Sequence, residues 1–445
     1  MSADAAAAPG GLAGTFRASP RVALFFLFLL NTLLVLDKII FTILLEPIKR
    51  EFQLDDFRLG LLAGAVYAFC LGIASVPFGI LADRGNRRNL AAGCLAFWSA
   101  MTGLCGMAQS YSLLLVARLG VGIGEAGGGP TALSMIADLF AHKKRATAMA
   151  IFSLGTPMAA LISLTTMTKV EALLGWRAVL LIASVPGFVI AIAMWLFMAE
   201  PKRSADAQRA SAPPLRTTLA YVRSQRSLLL LLAGAMTAYI VLAGVSSWNF
   251  SFLIRVHHVK LSEVGPLLGA SIAGAGMVGL YASGWLADFL AERDERWRTR
   301  VMAATTLASV AFGIAAFTVR DWHLAVACTA GLAACASLWL APGYALSQSL
   351  VPTRMRGTVG AILFMLANVV GYGLGPPLVG LLSDAFQSAG VAVPLRDALI
   401  FMVTGNVLSA LLFVLAGRSL RDDLTRAGAT QDIPNAEQNT SGREE

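Results

Sequence analysis

Four ionisable side chains lie well inside stretches that are otherwise apolar: Asp37 and its neighbour Lys38, and Arg118 and Glu125, seven residues apart. Ionisable groups at membrane depth are costly and tend to face a water-filled cavity, so such residues mark sites of function. A carboxyl in a low-dielectric cavity drifts toward its protonated form, while a nearby guanidinium favours the charged form. A carboxylate beside an arginine can therefore take up and release a proton as its surroundings rearrange. Arginine itself does not deprotonate, and its planar fork of donors makes it a fixed receptor for an anion. This pattern gives Asp37 and Glu125 the part of proton-coupling residues and Arg118 that of an anion-binding one. The alternative is a purely structural salt bridge pinning two helices together, because buried ion pairs need not be functional.

These residues need elements that bring them together. Residues i and i+7 share a helix face, which places Arg118 and Glu125 on one side, roughly 10 Å apart along the axis. Asp37 lies about eight residues before the end of its apolar stretch, and Arg118 about six after the start of its own. At about 1.5 Å per residue the two reach nearly the same depth if the stretches run antiparallel as neighbours. Lys38 points about 100° away from Asp37 and is expected to snorkel or pair elsewhere.

The surrounding chain is built for lipid. Of its 445 residues 57% are apolar and 14% charged, whereas a soluble surface needs nearer a quarter charged residues. Twelve stretches are long enough to cross a roughly 30 Å hydrocarbon core as helix: 22–46, 59–82, 90–109, 112–138, 146–170, 176–198, 228–254, 263–287, 301–319, 323–349, 358–383 and 398–417. The expected architecture is an all-α membrane protein with an amino-terminal six-helix half (21–198), a polar linker (199–226) and a carboxy-terminal six-helix half (227–417). Residues 1–20 and 418–445 are polar or Ala/Gly-rich without periodicity and are expected to be disordered cytoplasmic tails. The first stretch is too long for a cleaved signal and has no small-residue cleavage site after it.

With both termini placed in the cytoplasm, 24 of the 35 Lys and Arg residues fall in cytoplasmic segments and 9 in outer loops, the bias expected of a multi-pass membrane protein. That bias accounts for the net charge of +9 without a nucleic-acid partner. The five cysteines all fall within apolar stretches, which argues against a disulfide framework or metal cluster. Two glycine runs (Gly122, Gly124, Gly127 and Gly274, Gly276, Gly279) match the dinucleotide spacing G-x-G-x-x-G. Neither follows a strand and opens a helix, as phosphate binding requires. Gly120, Gly124 and Gly128 instead form a small-residue face suited to close helix packing. No hydrolase or metalloenzyme motif is present, so an enzyme is not expected.

The chain also repeats itself. GILAD (Gly79–Asp83) recurs as GWLAD (Gly284–Asp288), and LFAHKKRAT (Leu139–Thr147) is echoed by LVPTRMRGT (Leu350–Thr358). Parallel repeats of six-helix halves belong to transporters that rock around a central site. GILADRGNRRN resembles the cytoplasmic loop motif of the major facilitator superfamily. VGIGEA with ADLF, LLVLDKIIFTILLEPIKREF and GLGPPLVGLLSD resemble helices four, one and eleven of its spinster branch. The resemblance implies a bacterial homologue in the inner membrane, with both termini cytoplasmic. It implies alternating access, and the membrane-depth carboxylates beside Arg118 point to the proton as coupling ion, with no other cofactor. The implied partners are membrane lipids and an amphiphilic anionic substrate such as a lysophospholipid or a sphingosine-1-phosphate-like lipid, handled by a monomer. A proton-linked organic-anion or multidrug transporter of the same fold is the alternative.

Two further sets of residues follow. The resemblance assigns Asp83, Arg87 and Asp138 to a conformational latch, with Gly79, Arg84, Arg88 and Arg145 in the same motif segments. Without it, these basic residues read as positive-inside anchors. The carboxy-terminal half carries no charge away from helix ends and offers Tyr239, Trp248, Asn249, Trp339, Asn368 and Tyr372. Opposite a charged wall with Arg118, such residues would line the substrate's apolar part. The alternative is that the aromatics pack between helices or lie at the interface, as most membrane aromatics do.

Overall fold

The computed structural model describes residues 19–201, 215–291 and 294–431, and the regular structure among them is helical throughout. The first helices are α1 (Pro20–Ile43), α2 (Leu45–Phe52) and α3 (Asp56–Gly60); a π-helical turn (Leu61–Ala65) joins α3 to α4 (Val66–Arg84). Next come α5 (Arg87–Gly106), α6 (Tyr111–Ala126), α7 (Gly128–Leu139), α8 (His142–Ser153) and α9 (Gly155–Ile162). A second π turn (Ser163–Met167) leads into α10 (Thr168–Phe197). Beyond the linker lie α11 (Leu215–Ser224), α12 (Arg226–His257), α13 (Leu261–Ala291), α14 (Arg296–Thr318), α15 (Trp322–Leu338) and α16 (Leu340–Ser349). The chain ends with α17 (Arg356–Met365), a π turn (Leu366–Gly371), α18 (Tyr372–Ser388), α19 (Pro394–Thr404) and α20 (Asn406–Gln431).

Local chemistry sets many of these boundaries. Side-chain oxygens of Asp55, Asn86, Ser110 and Asp321 accept backbone N–H groups at the starts of α3, α5, α6 and α15, satisfying donors that have no partner inside a helix. The breaks at Leu154 and Trp339 fall three residues before Pro157 and Pro342; a proline lacks the N–H and its ring crowds the preceding turn. Gly175 takes φ 81° inside α10, a left-handed conformation that glycine adopts without strain.

Nine helical stretches among the described residues are long and apolar enough to cross a membrane. One of them, Thr147–Phe197, has 51 residues with the Gly175 bend inside it, which at 1.5 Å per residue suffices for two crossings. Helix also occupies the third and fourth expected stretches, as α5 and as α6 with α7.

The chain divides into two compact units, Met1–Ile48 with Phe69–Ala207, and Lys49–Ala68 with Gln208–Glu445. In the first unit α10 packs along α5, α5 along α6, and α1 against α9 and α10, around a core containing Leu27, Leu30, Trp98 and Met135. Gly120 and Gly124 permit the α5–α6 approach: a Cβ on Gly124 would stand 2.6 Å from the Trp98 Cβ. In the second unit α12 packs on α18 and α20, α14 on α15 and α20, and α13 on α15. Its core includes Leu231, Trp339, Leu346, Leu363 and Phe413.

Three expectations are corrected. Residues 49–68, counted with the amino-terminal half, pack in the second unit, where α3 lies against α18. Residues 418–431, expected to be tail, continue α20 and bury Leu420, Asp423 and Ala427. The reason is polar anchoring: Asp423 accepts the Ser227 N–H at 2.7 Å, and the Ser227 and Ser419 hydroxyls meet at 2.9 Å. The linker contains α11, whose Thr218 and Val222 are buried. The rest of the expected tails and linker (1–18, 202–214 and 432–445) lies outside the described residues.

Candidate functional site

In the first unit Asp37, Arg118 and Glu125 are all buried, at 6%, 3% and 2% exposure. Asp37 comes from the last third of α1, six residues before its end, and Arg118 and Glu125 from one face of α6. Thr102 of α5 donates its hydroxyl to Asp37 Oδ2 at 3.2 Å, and the Arg118 guanidinium stacks over the Phe41 ring, 4.1 Å from its centroid. Asp37 stands within electrostatic reach of both Arg118 and Glu125. The i,i+7 spacing and the depth match thus place the three together. Lys38 departs from expectation: it feels the charges of Glu125 and Arg118 as well, so the cluster has four members, two of each sign. The Cys105 thiol lies within reach of Arg118 and Asp37.

Such a cluster has defined chemical capacity. Its formal charges balance when both carboxylates are ionised, and protonating one leaves a net positive site that attracts an anion. Enclosure strengthens that coupling, because charges interact more strongly away from bulk water.

A second polar cluster of the first unit centres on Arg87, which is 2% exposed at the start of α5. It donates to Asp138 (2.5 Å), Glu200 (3.0 Å), Ser134 (3.1 Å) and the Pro201 carbonyl (2.8 Å). Glu200 also accepts the Arg88 N–H at 2.8 Å, and Arg88 donates to the Met198 carbonyl at 3.0 Å. Burial works against the Arg87 charge, but the hydrogen bonds to Asp138 and Glu200 outweigh it and raise its pKa further. Arg145 donates to the Ala137 carbonyl at 2.6 Å. Arg84 is exposed, and a Cβ on Gly79 would meet open space. The Asp83 side chain lies outside what the structure describes. Both ends of the Arg87–Asp138 pair belong to the first unit, so that pair braces α5, α7 and the start of the linker against one another. Glu200 opens a polar stretch that has the composition of a linker, so the sequence alone does not mark it as a partner of Arg87.

The third cluster was not foreseen. In the second unit Asp56 is 1% exposed and faces three cationic or hydroxyl donors. Arg255 of α12 engages it bidentately at 2.8 and 2.9 Å, Lys49 pairs with it, and Ser383 of α18 donates at 2.7 Å. Asp384 in turn accepts the backbone N–H groups of Asp56 and Phe57 at 3.0 and 2.8 Å, so α18 caps the start of α3. Small residues permit the contact: a Cβ on Gly60 would stand 2.6 Å from the Pro376 carbonyl oxygen, and Gly380 abuts the Asp56 backbone.

The six carboxy-terminal residues separate. Asn249 and Trp339 line a cavity of about 90 Å³ inside the second unit, and Tyr239 and Trp339 line a smaller one of about 10 Å³. Trp248 is corrected to a packing residue: it is fully buried and its indole N–H is already donated to the Pro376 carbonyl at 2.9 Å. Asn368 donates to the Phe364 carbonyl of its own helix, and Tyr372 hydrogen-bonds Ser246. Neither lines those cavities.

The family model of the Major Facilitator Superfamily matches residues 27–376. The chain belongs to the major facilitator superfamily. Its superfamily relatives include an MFS-type efflux pump of Mycolicibacterium smegmatis, 33% identical over 399 residues, covering 89% of this chain and 92% of the relative. The sphingosine-1-phosphate transporter SPNS2 of Danio rerio is 25% identical over 438 residues, 92% of this chain and 86% of that one. Among solved structures, a bacterial homolog of the human lysosomal transporter Spinster, in an inward-facing unoccupied conformation, superposes with a TM-score of 0.81 at 26% identity. That match covers 91% of this chain and 98% of the other. This superfamily member is a spinster-related, multi-pass membrane transporter and not an enzyme.

Proposed function

We propose that the protein is a proton-coupled secondary transporter of an amphiphilic, lipid-like anion, crossing a bacterial inner membrane twelve times in two six-helix halves with both termini cytoplasmic. The observation that carries this reading is the buried cluster of Asp37, Lys38, Arg118 and Glu125 within otherwise apolar stretches of α1 and α6. Arg118 receives the anionic group of the substrate. Asp37 holds the coupling proton, and Glu125 tunes Arg118 or serves as a second proton site. When Asp37 is protonated, one carboxylate no longer competes for Arg118, and an anion takes its place. The kinship with a sphingosine-1-phosphate transporter supports a substrate with a long apolar part.

The test is uptake into proteoliposomes of lysophospholipids, sphingoid phosphates and soluble organic anions, with and without an imposed pH gradient. The expected result is gradient-dependent lysolipid or sphingoid-phosphate flux, and loss of the gradient dependence in a folded Asp37→Asn variant. Unchanged proton dependence in that variant overturns the assignment. The second reading, a proton-linked organic-anion or multidrug exporter, is favoured by the kinship with an efflux pump; better transport of a soluble carboxylate or a drug than of any lysolipid selects it.

A further inference from the structure

The cavity of about 90 Å³ in the second unit belongs to none of the three charged clusters. It is lined by α12, α13, α14, α15 and the start of α20, and most of its wall is apolar, including Val245, Ile272, Leu332 and the Trp339 ring. One part of the wall differs. Asn249 of α12, Thr306 and Ser309 of α14 and Asn406 of α20 all reach the cavity, and each is at least nine-tenths buried. Asn406 donates its amide to the Ser309 hydroxyl at 2.9 Å. The Asn249 Oδ1, Thr306 Oγ1 and Asn406 Oδ1 atoms are buried with no hydrogen-bond partner.

Three buried polar atoms left unsatisfied in one cavity are a conspicuous cost, since each forfeits about 1–3 kcal/mol of solvation. Natural interiors satisfy such atoms with a partner or an ordered occupant. They come from three helices, so no single local motif explains them. Two are carboxamide oxygens and the third a hydroxyl, an acceptor-rich set without charge. Such a set selects a neutral donor, an O–H, over an anion. The volume has room for about three waters at roughly 30 Å³ each. A water needs two to four polar partners, however, and beyond the Asn249–Thr306–Ser309–Asn406 set the wall offers the Ser246 and Thr329 hydroxyls, each already donated to a backbone carbonyl of its own helix.

We infer that this cavity is a binding site for a small hydroxyl-bearing amphiphile, an alkanol or the hydroxylated end of an alkyl chain. Its hydroxyl donates its one proton to the Asn249 or Asn406 Oδ1 and accepts from the Thr306 hydroxyl, and its carbon chain lies along Val245, Ile272 and Leu332. The site is separate from proton coupling and from Arg118. A transporter without proton coupling would still possess it.

The test is photolabelling of the full-length protein in lipid nanodiscs with 3-azibutanol, a four-carbon alcohol carrying a diazirine, followed by peptide mapping. The control probe is its methyl ether, which keeps the chain and lacks the hydroxyl proton. The expected result is adducts on cavity-lining peptides of α12 and α15, about fivefold stronger for the alcohol than for the ether, the preference conferred by one net hydrogen bond. Excess 1-butanol suppresses them and 1-chlorobutane does not. Thr306→Val and Asn406→Leu, checked for monodispersity, lose the preference for the alcohol. Absence of cavity adducts, or equal labelling by alcohol and ether in the unaltered protein, overturns the proposal and leaves a cavity occupied by water or nothing. Because the comparison of probes is made on the unaltered protein, a misfolded variant does not blunt the test.

Discussion

At the scale of single residues, the division between legible and hidden follows from where a charge stands in its helix. Asp37, Arg118 and Glu125 were legible because an ionisable group in the middle of an apolar stretch has no innocent place to go, and a spacing of seven fixes a common face. Asp56 was not, although it is as buried. It lies at the edge of its apolar stretch, where acids normally meet water, and its partners Arg255 and Ser383 are 199 and 327 positions away. The aromatic residues were half legible: their kind suits a cavity wall or a packed core, and helix rotation decides which. That rotation turned Trp339 toward a cavity and Trp248 onto Pro376. Asp56 also yields a measurable expectation. Asp56→Asn leaves Arg255 and Lys49 facing a neutral amide, and removing one partner of a buried pair costs about 3 kcal/mol. Both partners are only partly enclosed, at 22% and 25% side-chain exposure, which trims that figure. Differential scanning fluorimetry in detergent should register a drop in melting temperature of roughly 5 °C. The double variant with Arg255→Gln should lie closer to Asp56→Asn than the sum of the two single changes. Additive losses would show that the two charges do not support each other.

At the scale of elements, the glycines of α6 are contact surfaces, as their four-residue spacing indicates. The G-x-G-x-x-G coincidence is a by-product of a helix that must approach α5 closely. The break between α6 and α7 at Gly127 could not be read from periodicity, because Gly127, Gly128 and Gly129 carry no side chain to show one. Its consequence is that Arg118 and Glu125 ride on one rigid segment and Asp138 on the next. Two substitutions on this stretch separate packing from composition. Gly124→Val drives a side chain into Trp98, whose backbone nitrogen lies 3.0 Å from the Cβ position. Overpacking of this kind costs about 1–3 kcal/mol or more where backbone must shift. Gly129→Ala meets nothing within 4 Å, and in a helix alanine is the better residue by up to about 1 kcal/mol. The melting temperature should therefore fall for the first and hold or rise for the second. A stable Gly124→Val protein would mean that α5 and α6 are not held at this distance.

At the scale of the whole molecule, chain order and packing order disagree at one place, and that place has a mechanical meaning. Residues 49–68 precede most of the first unit in sequence, yet they pack in the second. The helix continues from Leu61–Ala65 through Val66–Arg84, so a single run of helix begins in one unit and ends in the other. The Asp56 cluster and the Gly60–Pro376 contact hold its beginning to α18. Transport either needs this attachment inside the second unit to open during the cycle or uses it only as scaffold. The two alternatives part on a crosslink. A Cβ on Gly373 would lie 3.7 Å from the Cβ of Ala68, within the roughly 3.5–4.5 Å range that a disulfide bridges. Cysteines introduced at both positions, in a background with the five native cysteines replaced, should oxidise readily and tie α4 to α18. Uptake into proteoliposomes should then fall to background under oxidising conditions and return with dithiothreitol, while each single cysteine variant transports normally under both. Full transport with the disulfide quantitatively formed would mean that α4 and α18 travel together throughout the cycle, and that release occurs elsewhere in the molecule.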